Sequence, residues 1–140
     1  MFNDTICAIS TALKQGAISI VRMSGEDSFK IIKKISKIKD IKANTIVYSH
    51  IYDNEEMIDE VLISFFDDHK SYTKEKMVEI NCHGGIYVTR RVLNLLLKEG
   101  CIFAEPGEFT RRAYLNGRIN LSQADSVNDL INANNIVQAR

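Results

Sequence analysis

Residues Met77–Arg91 read M-V-E-I-N-C-H-G-G-I-Y-V-T-R-R, a pattern that changes midway from that of a strand to that of a helix. The first part is an apolar run of strand type with Glu79 in its middle. Gly84 and Gly85 then supply a turn, because glycine tolerates positive φ angles. Beyond the turn the apolar residues recur at helical spacing, at Val88, Val92, Leu95 and Leu96. The stretch therefore predicts a strand, a Gly-Gly turn and a helix, with a carboxylate on the strand.

Two interpretations of Glu79 follow from this pattern. Alternation with its apolar neighbours alone favours a place on the solvent face of an edge strand. The alternative is a carboxylate held in a pocket for a ligand that carries two adjacent N–H donors, because a buried carboxylate is costly without donors. The nearby His83 is interpreted as a capping or core residue rather than a ligand-binding imidazole.

The composition indicates one ordinary globular domain without a strongly charged surface. The chain has 140 residues, 45% of them hydrophobic and 26% charged, which suffices for a domain with its own core. Its 18 basic and 18 acidic residues cancel, so the net charge indicates neither nucleic-acid nor anionic-membrane binding. The lysine-rich stretch 30–42 and the acidic stretch 53–60 are interpreted as solvated faces.

The cysteines and the N-terminus predict a cytoplasmic protein. Cys7, Cys82 and Cys101 are odd in number, widely spaced and set among apolar residues, which indicates buried thiols in a reducing compartment. The three histidines and three cysteines have no metal-ligand spacing, so we predict no metal site. The N-terminus is no signal peptide and no run is long enough to span a membrane, so no membrane partner is expected.

The periodicity along the chain predicts an α+β fold with a mixed sheet and helices on one face. Five strands are expected in the sheet, at 5–10, 17–23, 45–52, 57–66 and 77–80, and 101–104 is a candidate for one more. Helices are expected from a start at 24–27, which offers a potential cap and two acids in the first turn, then after the Gly-Gly turn, from 106 to 117, and from a capping box at Ser122 and Asp125. That last helix still runs at Arg140, which suggests a longer parent protein. The uncovered sheet face suggests oligomerisation.

The common nucleotide and redox motifs are absent from these 140 residues. We find no G-x-x-x-x-G-K-[ST], no G-x-G-x-x-G and no C-x-x-C, and we predict no catalytic residue. The candidate binding residues are Arg22, Glu79 and Arg118. Arg118 follows Asn116-Gly117 in a turn between two helices, where binding residues are common. The sequence-based interpretation of Arg111 and Arg112 is surface charge on a helix.

Four segments resemble the N-terminal domain of the tRNA-uridine-modifying GTPases called MnmE or TrmE. They read D-T-I-C-A-I-S, S-I-V-R-M-S-G, V-E-I-N-C-H-G-G and P-G-E-F-T-R-R-A-Y-L-N-G-R-I-N-L-S-Q-A-D-S-V-N-D-L-I. They stand in the family's order, and the match covers the chain from Asp4 to Arg140. The last segment is long and highly specific, whereas H-G-G alone is weak.

The resemblance implies a fold like the folate-binding half-domain of aminomethyltransferases, acting as a homodimer. Residues 1–119 are then the tetrahydrofolate-binding and dimerisation domain, and 120–140 the first helix of a helical domain. The implied cofactor is a tetrahydrofolate derivative, 5-formyl- or methylene-tetrahydrofolate, with contacts at Arg22, Glu79 and Arg118. A pterin presents a ring N–H beside an exocyclic amino group, and one carboxylate can accept both. The two arginines suit the carbonyl and glutamate-tail oxygens.

The function implied by the resemblance is help in installing an aminomethyl-type group at carbon 5 of the tRNA wobble uridine. The partners are tRNA, through the full-length complex, and an FAD-dependent MnmG-type protein. GTP, Mg and K belong to a GTPase domain beyond Arg140, so this segment is expected to bind folate without catalysis of its own. The alternatives are a free-standing folate-dependent one-carbon transferase and a protein-interaction domain with a vestigial folate pocket.

Overall fold

The computed structural model describes residues 2–10 and 19–124, which form a mixed six-stranded sheet with helices. The elements in chain order are β1 (Ile6–Ile9), β2 (Ser19–Ser24), α1 (Ser28–Ser36), β3 (Thr45–Asp53), β4 (Glu56–Phe66), β5 (Met77–Cys82), α2 (Gly85–Lys98), β6 (Ile102–Phe103) and α3 (Glu108–Leu115). The sheet order is β3-β4-β5-β2-β1-β6. Every pairing is antiparallel except the parallel pairing of β1 with β6. The predicted α+β class and mixed sheet are confirmed, and the candidate strand at 101–104 forms as β6.

The core lies between one face of the sheet and the two longer helices. Successive strand side chains alternate between faces, and the fully buried set on this face includes Val21, Ile63 and Ile80. From α1 the apolar residues Ile31, Ile32 and Ile35 enter the same core, and α2 contributes Val92, Leu93, Leu95 and Leu96. The apolar stripe predicted for α2, together with the apolar face of α1, thus covers this face of the sheet.

The position of β5 corrects the edge-strand interpretation of Glu79. This strand lies between β4 and β2 and is paired along both sides, so it is a central strand. Its register places Glu79 opposite Arg22 on β2 and Ser64 on β4. Directly opposed residues of an antiparallel pair share a face, so these three lie on the sheet face opposite the core.

The start of α1 is later than the sequence predicts, because the predicted capping residues make other contacts. The helix begins at Ser28, and Asp27 makes no side-chain cap hydrogen bond. Ser24 is buried and its hydroxyl instead lies 2.6 Å from the Thr73 hydroxyl and donates to Glu75 at 2.8 Å. Gly25 follows with a φ of 143°. Residues 24–25 therefore pack closely against other parts of the fold and do not cap the helix.

The turn after α3 has a capping box two residues earlier than the predicted one. The backbone N–H of Asn120 donates to the Gln123 side-chain oxygen at 2.9 Å. In return the Gln123 N–H donates to Asn120 Oδ1 at 2.8 Å. Asp125, the second member of the predicted box, lies outside the described residues. The domain boundary at 119/120 therefore stays a prediction.

All three cysteines are buried free thiols, as predicted. Burial raises the pKa of the Cys82 thiol to about 12. A hydrogen bond with Cys7, followed by burial, raises the pKa of Cys101. Within residues 2–10 and 19–124, no helix is long and apolar enough to cross a membrane.

Candidate functional site

The site begins with an ion pair between neighbouring strands. Arg22 Nε donates to Glu79 Oε2 at 2.8 Å, and Nη2 lies 2.7 Å from the same oxygen. The side chains are 27% and 19% exposed, so solvent screens the pair only partly. Two of the three predicted binding residues are therefore in direct contact, and the strand register alone brings them together.

A cavity of about 700 Å³ lies beside this pair, and Arg22 forms part of its wall. The wall also includes residues of β1, the segment that leads into α3, and α3 itself. Among the described residues of its wall, Tyr72, Phe103 and Phe109 are aromatic. A concave, mostly apolar space with a few polar groups is the usual form of a small-molecule site.

Arg118 lies outside the wall of this cavity. It is exposed in the turn after α3, where its backbone N–H donates to the Ala113 carbonyl at 2.7 Å. The predicted loop position is confirmed. The structure does not bring its side chain to the Arg22–Glu79 pair.

Arg112 is a structural residue whose sequence-based interpretation was wrong. Its side chain is fully buried, whereas the neighbouring Arg111 side chain is 55% exposed, as predicted. Arg112 bonds to Glu75 at 3.1 Å, to Glu108 at 3.2 Å and to the Asp4 carboxylate. Burial alone lowers the pKa of Arg112, but hydrogen bonds and charge from Glu75 and Asp4 outweigh it and raise the pKa. In the sequence, only the i,i+4 spacing between Glu108 and Arg112 indicated that Arg112 could form an ion pair.

The segment before β5 is joined to α3 by further hydrogen bonds. The Tyr72 hydroxyl lies 3.2 Å from the Thr110 hydroxyl. Asn116 Nδ2 donates to the Thr73 carbonyl at 2.9 Å. Together with Arg112 these contacts fix α3 beside the sheet face that carries Glu79. Sequence reasoning did not identify Tyr72 or Phe109 as cavity residues, because only the tertiary fold brings them together.

The sequence-based interpretation of His83 as a capping or core residue was wrong. Gly84 occupies the N-cap position of α2 without a side-chain cap hydrogen bond, and His83 is exposed. Its backbone N–H donates to Asp59 Oδ2 at 2.8 Å, and Gly84 donates to the same oxygen at 3.3 Å. Its ring Nδ1 lies 2.9 Å from the Glu60 carbonyl oxygen. These contacts hold the β5–α2 junction, and His83 is not part of the cavity wall.

Comparison with known proteins identifies the family. The family model described as "GTP-binding protein TrmE N-terminus" matches residues 5–118. A tRNA modification GTPase MnmE of Thermoanaerobacter sp. (strain X514) is 52% identical over 148 residues, covering 100% of this chain and 32% of that relative. The protein of the same name from Lactococcus lactis subsp. cremoris (strain MG1363) is 54% identical over 133 residues, covering 93% and 29%.

The chain thus spans about a third of the length of the curated relatives that it matches. Because the family model covers most of the chain, including β5 and its Glu79, the relationship extends over the whole described sheet. The chain belongs to the family of TrmE N-terminal domains.

Proposed function

We propose that this chain is the tetrahydrofolate-binding and dimerisation domain of a tRNA-modifying GTPase. The observation that carries the proposal is the ion pair of Glu79 with Arg22, a residue in the wall of a cavity of about 700 Å³. The carboxylate of the pair can accept hydrogen bonds from the pterin N–H groups, and the guanidinium can donate to the pterin carbonyl oxygen. The bound folate would supply the one-carbon unit for the modification.

The residues present fit a folate. Arg22 engages only Oε2 of Glu79, and no other side chain within the described ranges hydrogen-bonds this carboxylate. A pterin N–H and amino group would donate to the two oxygens of this carboxylate, one to Oε1 and the other to Oε2 beside Arg22. The cavity volume lies within the range of about 300–1,000 Å³ for small-molecule pockets. Its aromatic rings suit the flat rings of folate.

Arg118 has a more distant role in this proposal. Its exposure and its place outside the cavity wall favour contact with the glutamate tail, the part of folate that stays in solvent. A guanidinium suits such carboxylates. Its replacement should therefore weaken binding less than a change at Glu79.

The homodimer would use the uncovered part of the same sheet face. Ile46, Tyr48 and Leu62 are 69%, 60% and 38% exposed. The register places Ile46 opposite Ser64, which is itself opposite Glu79, so the patch and the ligand pair share a face. Exposed apolar side chains on one sheet face favour burial by a partner. A second copy of the chain is the partner that we propose, in the half-domain arrangement of aminomethyltransferases.

The activity of the parent protein is proposed from the names of its relatives. These name tRNA modification and GTPase activity. We propose that the parent acts in the cytoplasm on the wobble uridine of tRNA with an FAD-dependent MnmG-type partner. GTP, Mg and K would be held by residues beyond this chain. The chain itself would bind folate without hydrolysing GTP.

Calorimetric titration of the purified chain with 5-formyltetrahydrofolate tests the proposal, with GTP as the control ligand. We expect saturable binding of the folate and none of GTP. Absence of folate binding by folded protein would favour the interaction domain with a vestigial pocket. Turnover of methylene-tetrahydrofolate with a uridine acceptor by the chain alone would favour a free-standing one-carbon transferase.

A further inference from the structure

The guanidinium of Arg22 is held on two sides by different side chains. Glu79 binds its edge through Oε2 at 2.7 and 2.8 Å. The guanidinium carbon also lies over the Phe109 ring, 5.5 Å from the ring centroid. The ring therefore limits the rotamers that remain available to Arg22 once the ion pair has formed.

The helix turn that carries the Phe109 ring is fixed by hydrogen bonds of its neighbouring residues. Phe109 lies in the first turn of α3, between Glu108 and Thr110. The Glu108 carboxylate accepts a hydrogen bond from the buried Arg112, and the Thr110 hydroxyl lies at hydrogen-bond distance from the Tyr72 hydroxyl. The position of the ring is thus set by contacts that do not involve the ligand pair.

We infer that Phe109 is a positioning residue of the folate site, which acts by holding Arg22 against Glu79. This inference rests on the proposed function. Arg22 is a long side chain that is partly exposed, and fixing such a chain costs rotamer entropy on binding. A ring that already restricts the guanidinium removes part of this cost and adds a cation–π attraction. Phe109 thereby tightens ligand binding through Arg22.

The test compares 5-formyltetrahydrofolate affinities of matched variants by calorimetry. Phe109→Leu keeps apolar bulk and removes the aromatic face, so we expect affinity to fall about two- to five-fold, the range of an exposed cation–π contact. Phe109→Tyr retains the face and should bind like the wild type. Tyr114→Leu is the control, because Tyr114 is an exposed aromatic residue of the same helix that is not part of the cavity wall.

A double-mutant cycle separates positioning from direct ligand contact. In an Arg22→Gln background, Phe109→Leu should cause no further loss, because the residue that it positions is already gone. An equal loss in both backgrounds, or wild-type affinity of Phe109→Leu, overturns the inference alone. Thermal melts check folding, and Phe109→Met serves as a second variant without an aromatic face. Failure of the folded wild type to bind overturns the proposed function and this inference together.

Discussion

Arg22 and Glu79 are direct partners across two antiparallel strands, and their charged atoms meet at 2.7 Å. The pair is therefore encoded by strand register rather than by a flexible loop. A slip of one residue in either strand would turn one side chain to the opposite face. Both strands are paired on each side, which holds the register and thus the site.

Arg112 should be essential for stability, whereas Arg111 should not. Arg112→Leu leaves Glu75 and Glu108 without their buried cationic partner. Breaking a buried ion pair from one side typically costs about 3–5 kcal/mol. Arg111→Leu, at an exposed position, should change the unfolding free energy by less than about 0.5 kcal/mol. Urea denaturation of both variants measures this, and equal stabilities would contradict the role assigned to Arg112.

Gly25 should tolerate no side chain. A Cβ there would lie 2.5 Å from Thr5 Oγ1 and 2.6 Å from Thr5 Cα, and its φ is 143°. Gly25→Ala should cost about 2–5 kcal/mol, from backbone strain of about 1–2 and overpacking of about 1–3. Gly100 also has positive φ but open space around it, so Gly100→Ala should show only the strain. Thermal melts of the two variants test this prediction. A loss of stability at Gly25→Ala no larger than that at Gly100→Ala would contradict it.

Ile46 should contribute to self-association. Ile46→Glu places two carboxylates in the proposed symmetric interface, and light scattering after size exclusion should show a shift toward monomer. Tyr87→Glu is the control, since Tyr87 is 77% exposed on α2, away from this sheet face. A wild-type protein that is strictly monomeric at tens of micromolar (an association free energy weaker than about −6 kcal/mol) would contradict the dimer.

Cys82 should make stability depend on pH in the alkaline range. Burial raises its folded-state pKa from 9.0 to about 12. Above pH 9 the unfolded thiol loses its proton while the folded thiol keeps it, so stability falls as pH rises toward about 12. The slope contributed by this thiol is up to about 1.4 kcal/mol per pH unit. Urea denaturation of wild type and Cys82→Ala between pH 8 and roughly 10.5 should give converging stabilities, and parallel profiles would contradict the assignment.

The sequence predicts the elements well where local pattern and packing agree. The strand, Gly-Gly turn and helix around Glu79 form as expected, because apolar alternation and helical periodicity both match the faces that become buried. The edge-strand interpretation of Glu79 was wrong because alternation does not reveal how many neighbours a strand has. Only the sheet order shows that β5 is central.

The burial of Arg112 could not be predicted from the sequence pattern. A charged helix residue is usually exposed, and its partners Asp4 and Glu75 are distant in the chain. The cavity wall was not predicted for the same reason. Tyr72 and Phe109 are distant in the chain, and the tertiary contacts of α3 place both of them in the wall. By contrast, the Arg22–Glu79 pair combines two residues that the sequence singles out.

The most direct measurement is the affinity of Glu79→Gln for 5-formyltetrahydrofolate, beside wild type and Glu105→Gln. The amide is nearly isosteric but turns one acceptor into a donor that faces the pterin donors. Loss of a charged hydrogen bond of about 1.5–3 kcal/mol should weaken binding roughly tenfold to 150-fold. Glu105, an acid of the cavity wall that does not pair with Arg22, should be replaceable without such loss. Wild-type affinity of a well-folded Glu79→Gln protein would contradict the folate site described above.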